Sequence, residues 1–249
     1  MMNDRTVLIT GAAHGLGACM AEHAARAGYR VGVMDLDADG CAVLADRLQN
    51  AVPLPADVCD PESVEEALNA LGSVPDVLIN NAGILRTGPL IDHPVEHFRT
   101  VIEVNLNAVF IVAQAVARRM RENGGGCIVN MSSINGIHPA MSCGAYPAAK
   151  AGVIALTQQM SLEWGEFNIR VNAVAPGFID SGMSAPFYQN AEVRQQRQGA
   201  VPLGRLGSAD DVAECAMFLA SDAASYINGQ TIAVDGGVIN SVLMQLPRE

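Results

Sequence analysis

Tyr146 and Lys150 stand four apart at the end of the stretch SSINGIHPAMSCGAYPAAK, and Lys150 is the only lysine in the chain. The other fourteen residues of the Lys+Arg count are arginine. Arginine is a permanently charged planar fork, whereas lysine is a compact ammonium on a flexible stem, so the two are not interchangeable where a point charge is needed. Pro147 suits the first position of a helix. Residues at i and i+4 share a helix face, so this spacing predicts a phenol beside an ammonium. A free tyrosine titrates near ~10. A cation within hydrogen-bonding reach favours the phenolate and lowers that value by roughly one to three units. A tyrosine so tuned is an acid or base for an alcohol/ketone pair.

The elements that must position this pair read as alternating strands and helices. Strands are predicted over 5–10, 30–34, 51–56, 76–79, 127–131, 169–175 and 230–234. Helices are predicted over 18–28, 39–50, 61–71, 94–123, 146–167 and 209–220. The first strand runs into Thr10-Gly11-Ala12-Ala13-His14-Gly15-Leu16-Gly17, a glycine-rich turn that opens a helix. Such a turn lets backbone approach a pyrophosphate seated on the helix N-terminus. The second strand ends at Asp35, 18 positions beyond Gly17. An acid there accepts bonds from the adenosine ribose hydroxyls and repels a 2′-phosphate, which favours NAD over NADP. Asn80-Asn81-Ala82-Gly83 follows the fourth strand, and Ser132 and Ser133 follow the fifth, at the strand ends where α/β sheets gather function. Asn105 and Asn107 lie in the apolar stretch VIEVNLNAVFIV, where a side-chain amide needs a partner. The irregular stretch around 180–207 reads as a lid over a substrate pocket.

Composition narrows the possibilities further. With 249 residues and 50% hydrophobic content the chain can bury a core as a single domain, here read as 1–249. The net charge of −11 and the absence of a basic run point away from nucleic acid and anionic membranes. The six cysteines form no CxxC, and no His/Cys metal spacing is read among them. They are expected to be reduced thiols of a cytoplasmic protein without a metal. The N-terminus has no basic-then-apolar signal region, and the apolar runs are read as interrupted before membrane-spanning length. Val242, Leu243, Met244 and Leu246 of the tail are expected to cover a pocket or a subunit contact.

Taken together, the Thr10–Gly17 turn, Asn80-Asn81-Ala82-Gly83, Ser133, Tyr146-xxx-Lys150 and Pro176-Gly177 resemble the short-chain dehydrogenase/reductase family along nearly the whole chain. The resemblance implies a Rossmann-like, doubly wound α/β fold with a seven-stranded parallel sheet. It implies a catalytic tetrad of Asn105, Ser133, Tyr146 and Lys150, with Ser133 rather than Ser132 at the family's spacing. It implies a nicotinamide cofactor contacting Gly11, His14, Gly15, Leu16, Gly17, Asp35 and Leu36. Further contacts are implied at Asp57, Val58, Asn81, Ala82, Gly83, Tyr146, Lys150, Pro176, Gly177, Ile179 and Ser181. The hydroxyl position is often threonine in the family and is Ser181 here. The implied reaction is hydride transfer between NAD(H) and a secondary alcohol or ketone. A 3-oxoacyl-thioester reductase is the alternative enzyme, and a non-catalytic NAD-binding protein the alternative from another class. Ile134, His138, Met141, Cys143, Met183, Phe187 and Tyr188 are the expected pocket residues, for a largely apolar small molecule with a polar anchor at His138. Helices 94–123 and 146–167 are expected to pair subunits into a homotetramer.

Overall fold

The structure, a computed structural model, describes residues 5–241 and Met244. Seven strands form one parallel sheet: β1 (Thr6–Thr10), β2 (Arg30–Asp35), β3 (Ala51–Pro55), β4 (Val77–Asn80), β5 (Gly126–Met131), β6 (Ile169–Pro176) and β7 (Thr231–Val234). The helices are α1 (Gly15–Arg26), α2 (Ala38–Leu48), α3 (Pro61–Leu71), α4 (Val95–Ile102), α5 (Ala108–Glu122), α6 (Tyr146–Trp164), α7 (Ala191–Ala200) and α8 (Ala209–Ala220). The strand order is β3-β2-β1-β4-β5-β6-β7. Strand order therefore reverses between β1 and β4, which opens a crevice at their carboxyl ends.

Alternation along each strand divides the core in two. Val7, Ile9, Val31, Val33 and Ile79 pack with Met20 and Ala24 of α1, Leu44 of α2 and Val212 and Leu219 of α8. Their neighbours Leu8, Leu54, Leu78 and Ile128 face the other way, onto Leu68 of α3, Val112 and Val116 of α5 and Met160 of α6. Covered on both faces, β1 and β4 are buried at every position, which is why TVLIT and VLIN read as unbroken runs rather than alternating ones.

Three expectations need correction. The helix over 94–123 is broken by a π-helical turn, Glu103–Asn107, with Asn105 fully buried inside it and Asn107 exposed and bonded to Glu103. The stretch after Ile179 is not irregular throughout, because it holds a 3-10 segment, Gly182–Gln189, and then α7. α7 has no buried residue, so no apolar stripe announces it. Asn190 caps it, accepting from Glu192 N at 3.0 Å and Val193 N at 3.3 Å, and Arg194 ties it to Asp180 at 2.6 Å. Val95–Glu122 is long and apolar enough to cross a membrane by length and composition, contrary to the sequence reading, although half of its most apolar window is buried inside the protein.

The cysteine reading also changes. All six thiols are free, but Cys19 and His23, one turn apart on α1, meet Asp210 of α8, with His23 Nε2 at 2.7 Å and the thiol at 3.6 Å from Asp210 Oδ1. Burial, with Asp210 adding to it, pushes the Cys19 thiol up to about 11. Cys19 therefore stands as a protonated donor linking the two helices. In the tail, Met244 is exposed, and Val242, Leu243 and Leu246 lie outside the described residues.

Beside that link, α8 opens on a capping box in which Ser208 N donates to Asp211 Oδ2 at 2.7 Å and Asp211 N donates back to Ser208 Oγ at 3.2 Å. Arg205 grips both oxygens of the same carboxylate at 2.7 Å and holds it far below the ordinary carboxylate range. Asp211→Asn is expected to destabilise the protein by about 1 kcal/mol at neutral pH. A carboxylate depressed in the folded state gives stability that is present above the unfolded value, roughly pH 4, and is lost as pH falls. Denaturant melts of wild type and variant should therefore begin to converge as pH falls below about 4 and continue to do so toward the much lower folded value.

Candidate active site

At the end of β1 the chain turns through Gly11 and Gly15, both at positive φ (60° and 56°), which suits glycine. A Cβ on Gly11 would lie 2.8 Å from Ala82 Cα, and one on Gly17 would lie 2.0 Å from Gly11 O. The first intrahelical bond of α1 runs from Ala18 N to His14 O at 3.2 Å. The amides of the preceding residues therefore sit at the positive end of a twelve-residue helix. This turn is fastened from β4. Asn81 Nδ2 donates to Thr10 O at 3.1 Å and to Gly11 O at 2.9 Å, and Thr10 Oγ1 accepts from the amides of Asn81 and Ala82. The Asp35 carboxylate accepts from Ala13 N at 3.0 Å and Asp37 N at 3.1 Å, so it both supports the turn and ends β2. His14 is engaged by Asp37 at 2.8 Å.

β5 delivers the two serines to different tasks. Ser132 is buried and its hydroxyl donates to Lys150 O at 2.9 Å, which docks α6. Ser133 Oγ accepts from Asn135 N at 3.1 Å and neighbours the Tyr146 phenol. Asn105, inside the π-helical turn, both accepts from Ile84 N at 2.7 Å and donates to Ile84 O at 2.8 Å. That doubly bonded amide pins the backbone just after Gly83. A single-residue bulge in a helix commonly marks a functional position.

The Tyr146–Lys150 pair departs from expectation. Lys150 is 3% exposed and its Nζ donates to Met131 O at 2.8 Å, 5.7 Å from the centre of the Tyr146 ring. Burial pulls the amine down to about 8. Burial likewise pushes the Tyr146 phenol up to about 12, offset in part by a hydrogen bond with Ser133. Lysine and tyrosine do share one helix face, but burial governs both, and the phenol moves opposite to the direction that the spacing predicts.

All of this surrounds one cavity of about 800 Å³. Its nucleotide-sized end is lined by Gly11, His14, Gly15, Leu16, Asp35, Leu36, Asp57 and Val58, with Asn81, Ala82 and Gly83 along one side. Ser133, Tyr146, Lys150, Pro176, Gly177, Ile179 and Ser181 line the rest of that wall. Gly17 and Asn105 are buried behind the lining and act through packing and hydrogen bonding. The glycine turn, the amides at the head of α1 and the acid at the end of β2 fit a dinucleotide, since a Cβ at Gly17 would collide with the turn's own backbone and one at Gly11 with Ala82 after β4. Of the expected pocket residues, Ile134, Met141, Cys143, Met183, Phe187 and Tyr188 line the cavity, whereas His138 is exposed outside it. The polar group that sequence reasoning missed is Arg197, delivered by α7 into the lining among Phe178, Phe187 and Tyr188. Only recognition of α7 as a helix could have revealed it.

Residues 11–239 match the family described as enoyl-(acyl carrier protein) reductase. The L-rhamnose 1-dehydrogenase (NAD(P)(+)) of Azotobacter vinelandii is 38% identical over 251 residues, covering 96% of this chain and 98% of its own. The 3-oxoacyl-[acyl-carrier-protein] reductase of Thermotoga maritima is 39% identical over 250 residues, covering 96% and 99%. The crystal structure of a gluconate 5-dehydrogenase from Burkholderia cenocepacia, in complex with NADP and tartrate, superposes with a TM-score of 0.92 at 34% identity, covering 96% of this chain and 97% of that one. The chain belongs to the short-chain dehydrogenase/reductase family, and is an oxidoreductase of CH–OH groups that uses a nicotinamide cofactor.

Proposed function

We propose that the protein interconverts a secondary alcohol and a ketone with NAD(H), using Tyr146 as acid/base. The observation that carries this reading is the convergence of Ser133, Tyr146 and Lys150 on the cavity that Asp35 closes at its other end. Oxidised nicotinamide supplies a hydride acceptor and a positive charge, and that charge favours the phenolate that burial disfavours. Tyr146 takes the hydroxyl proton as the C–H bond breaks, and returns one in the reverse direction. Ser133 hydrogen-bonds the substrate oxygen and steadies the phenolate. Lys150 holds the nicotinamide ribose, and Asn105 keeps Gly83 and Ile84 in place beside it while supporting the proton relay. The remaining cofactor contacts are Gly11, His14, Gly15, Leu16 and Gly17 at the pyrophosphate, Asp57 and Val58 at the adenine, and Ile179 and Ser181 at the carboxamide.

The preference for NAD rests on Asp35, whose carboxylate repels a 2′-phosphate at the ribose position. It also weighs against the 3-oxoacyl-thioester reductase reading, to which the Thermotoga relative gives some support. Met141, Cys143, Met183, Phe187 and Tyr188 give the substrate end largely apolar walls. The segment 180–207 serves as its lid. Val95 and Phe98 of α4, Phe110 of α5 and Leu162 of α6 are exposed apolar groups suited to pairing subunits into a tetramer in the cytoplasm.

Three measurements test this. Tyr146→Phe should lower kcat/KM for secondary alcohols by about 10³-fold with NADH binding retained; undiminished turnover would remove Tyr146 from the mechanism. Asp35→Asn should lower the NAD+/NADP+ ratio of kcat/KM by about tenfold or more, and a wild type that prefers NADP+ would overturn the cofactor assignment. Lys150→Met tests the buried amine. A lysine depressed from 10.5 to about 8 costs the fold about 3 kcal/mol below pH 8, and that cost fades as pH rises to 10.5. The stability of the variant relative to wild type should therefore be greatest near pH 7 and decline by roughly that amount toward pH 10.5.

A further inference from the structure

Resting on the alcohol-dehydrogenase reading above, we infer that Arg197 is a specificity-determining residue and that the substrate carries a carboxylate bonded by its guanidinium. α7 places Arg197 in the lining of the catalytic cavity. Its guanidinium carbon lies 5.0 Å from the ring centre of Phe178 and 5.6 Å from those of Phe187 and Tyr188, and Nη1 donates to Tyr188 Oη at 3.4 Å. Aromatic rings engage a guanidinium through its π face, which leaves in-plane N–H groups for a partner. A carboxylate matches that fork with two parallel bonds.

The acids of the protein are not used here. One turn earlier on the same helix Arg194 is paired with Asp180 at 2.6 Å, and Arg205 with Asp211 at 2.7 Å, yet no carboxylate of the described residues lies within 4.0 Å of Arg197. In a chain of net charge −11 this is a cation kept clear of counter-charge, half-buried, inside a substrate pocket. The acids that do line the cavity, Asp35 and Asp57, belong to its nucleotide end. Arg197, Cys143 and Tyr146 line the same cavity, so the charge and the proton-transfer site face one space. A hydroxy acid with its anion on Arg197 would present its alcohol carbon to Tyr146 with apolar surface between, which reconciles the apolar walls with a charged anchor.

A purely structural role, stapling the rings of Phe178, Phe187 and Tyr188, predicts something different: its loss would slow every substrate alike. The test compares secondary hydroxy acids of graded chain length with their amides, which keep the shape and lose the charge. Wild type should favour the acid in kcat/KM by about 100-fold at its best chain length. Arg197→Met should collapse that ratio toward one, and Arg197→Lys should keep part of it, with melting curves confirming that both variants fold. Titration of the NADH-loaded protein with the matching unhydroxylated carboxylate should give a Kd about 100-fold weaker in Arg197→Met. Absence of an acid/amide preference in wild type, or equal losses on both in the variant, would overturn the inference. A hydroxyalkyl phosphate preferred over the acid would overturn the carboxylate class. Tyr146-dependent turnover of neutral alcohols without any preference for acids would sink this inference and leave the reaction standing. Arg197-dependent carboxylate binding without turnover of any alcohol would do the reverse.

Discussion

A single side-chain amide holds the crevice of this protein together. Asn81, at the end of β4, donates to two consecutive carbonyls, Thr10 and Gly11, at the end of β1. Those two strands are neighbours in the sheet but far apart in the chain, and between them the strand order reverses. The bond converts an open seam into a shaped floor. Gly11 can approach Ala82 so closely only because it lacks a Cβ, and Thr10 completes the clasp by accepting from Asn81 and Ala82. A second layer of polar contacts lies beneath. Asn80 donates to Asn130 at 3.0 Å and Asn130 to Thr157 at 2.9 Å, all fully buried, linking β4, β5 and α6 under the serine and tyrosine. Satisfied networks of this kind rigidify the part of the core that contains them.

The reactive groups are raised on that floor at an energetic cost. Burial disfavours the charged form of each, pulling the amine down to about 8 and pushing the phenol up to about 12. Under the proposed mechanism, the charges of cofactor and substrate would offset that cost. This is the expected form of differential binding: interactions strongest in the reacting complex are those that accelerate it.

Much of this was legible in the residues. Strands buried on both faces appear as short apolar runs, and α3 and α8 occupy the predicted ranges, with Asp60 and Ser208 capping their N-termini in the structure. Spacing and resemblance named Gly11, Asp35, Ser133, Tyr146 and Lys150, and the structure gathers all five on one cavity. What stayed hidden is what depends on burial rather than on position in the chain. Spacing brings Tyr146 and Lys150 to one face, but it carries no information about how dry that face is. α7 has no apolar stripe, so both the helix and the arginine it carries escaped notice. His138, drawn in by its nearness to the serines in sequence, turned out to lie outside.

The π-helical turn at Glu103–Asn107 has one more implication. An α-helix advances about 100° per residue, so one surplus residue turns everything after it by that angle relative to everything before. α4 and α5 are continuous along the backbone yet present different sides to the protein: α4 buries Val101 alone, whereas α5 buries eight residues. The bulge thus works as a joint with a fixed offset. Removing one residue would give a straighter helix and a more regular ladder, and would swing Asn105 away from Ile84. In this chain the break in periodicity and the asparagine it aims form one structural unit.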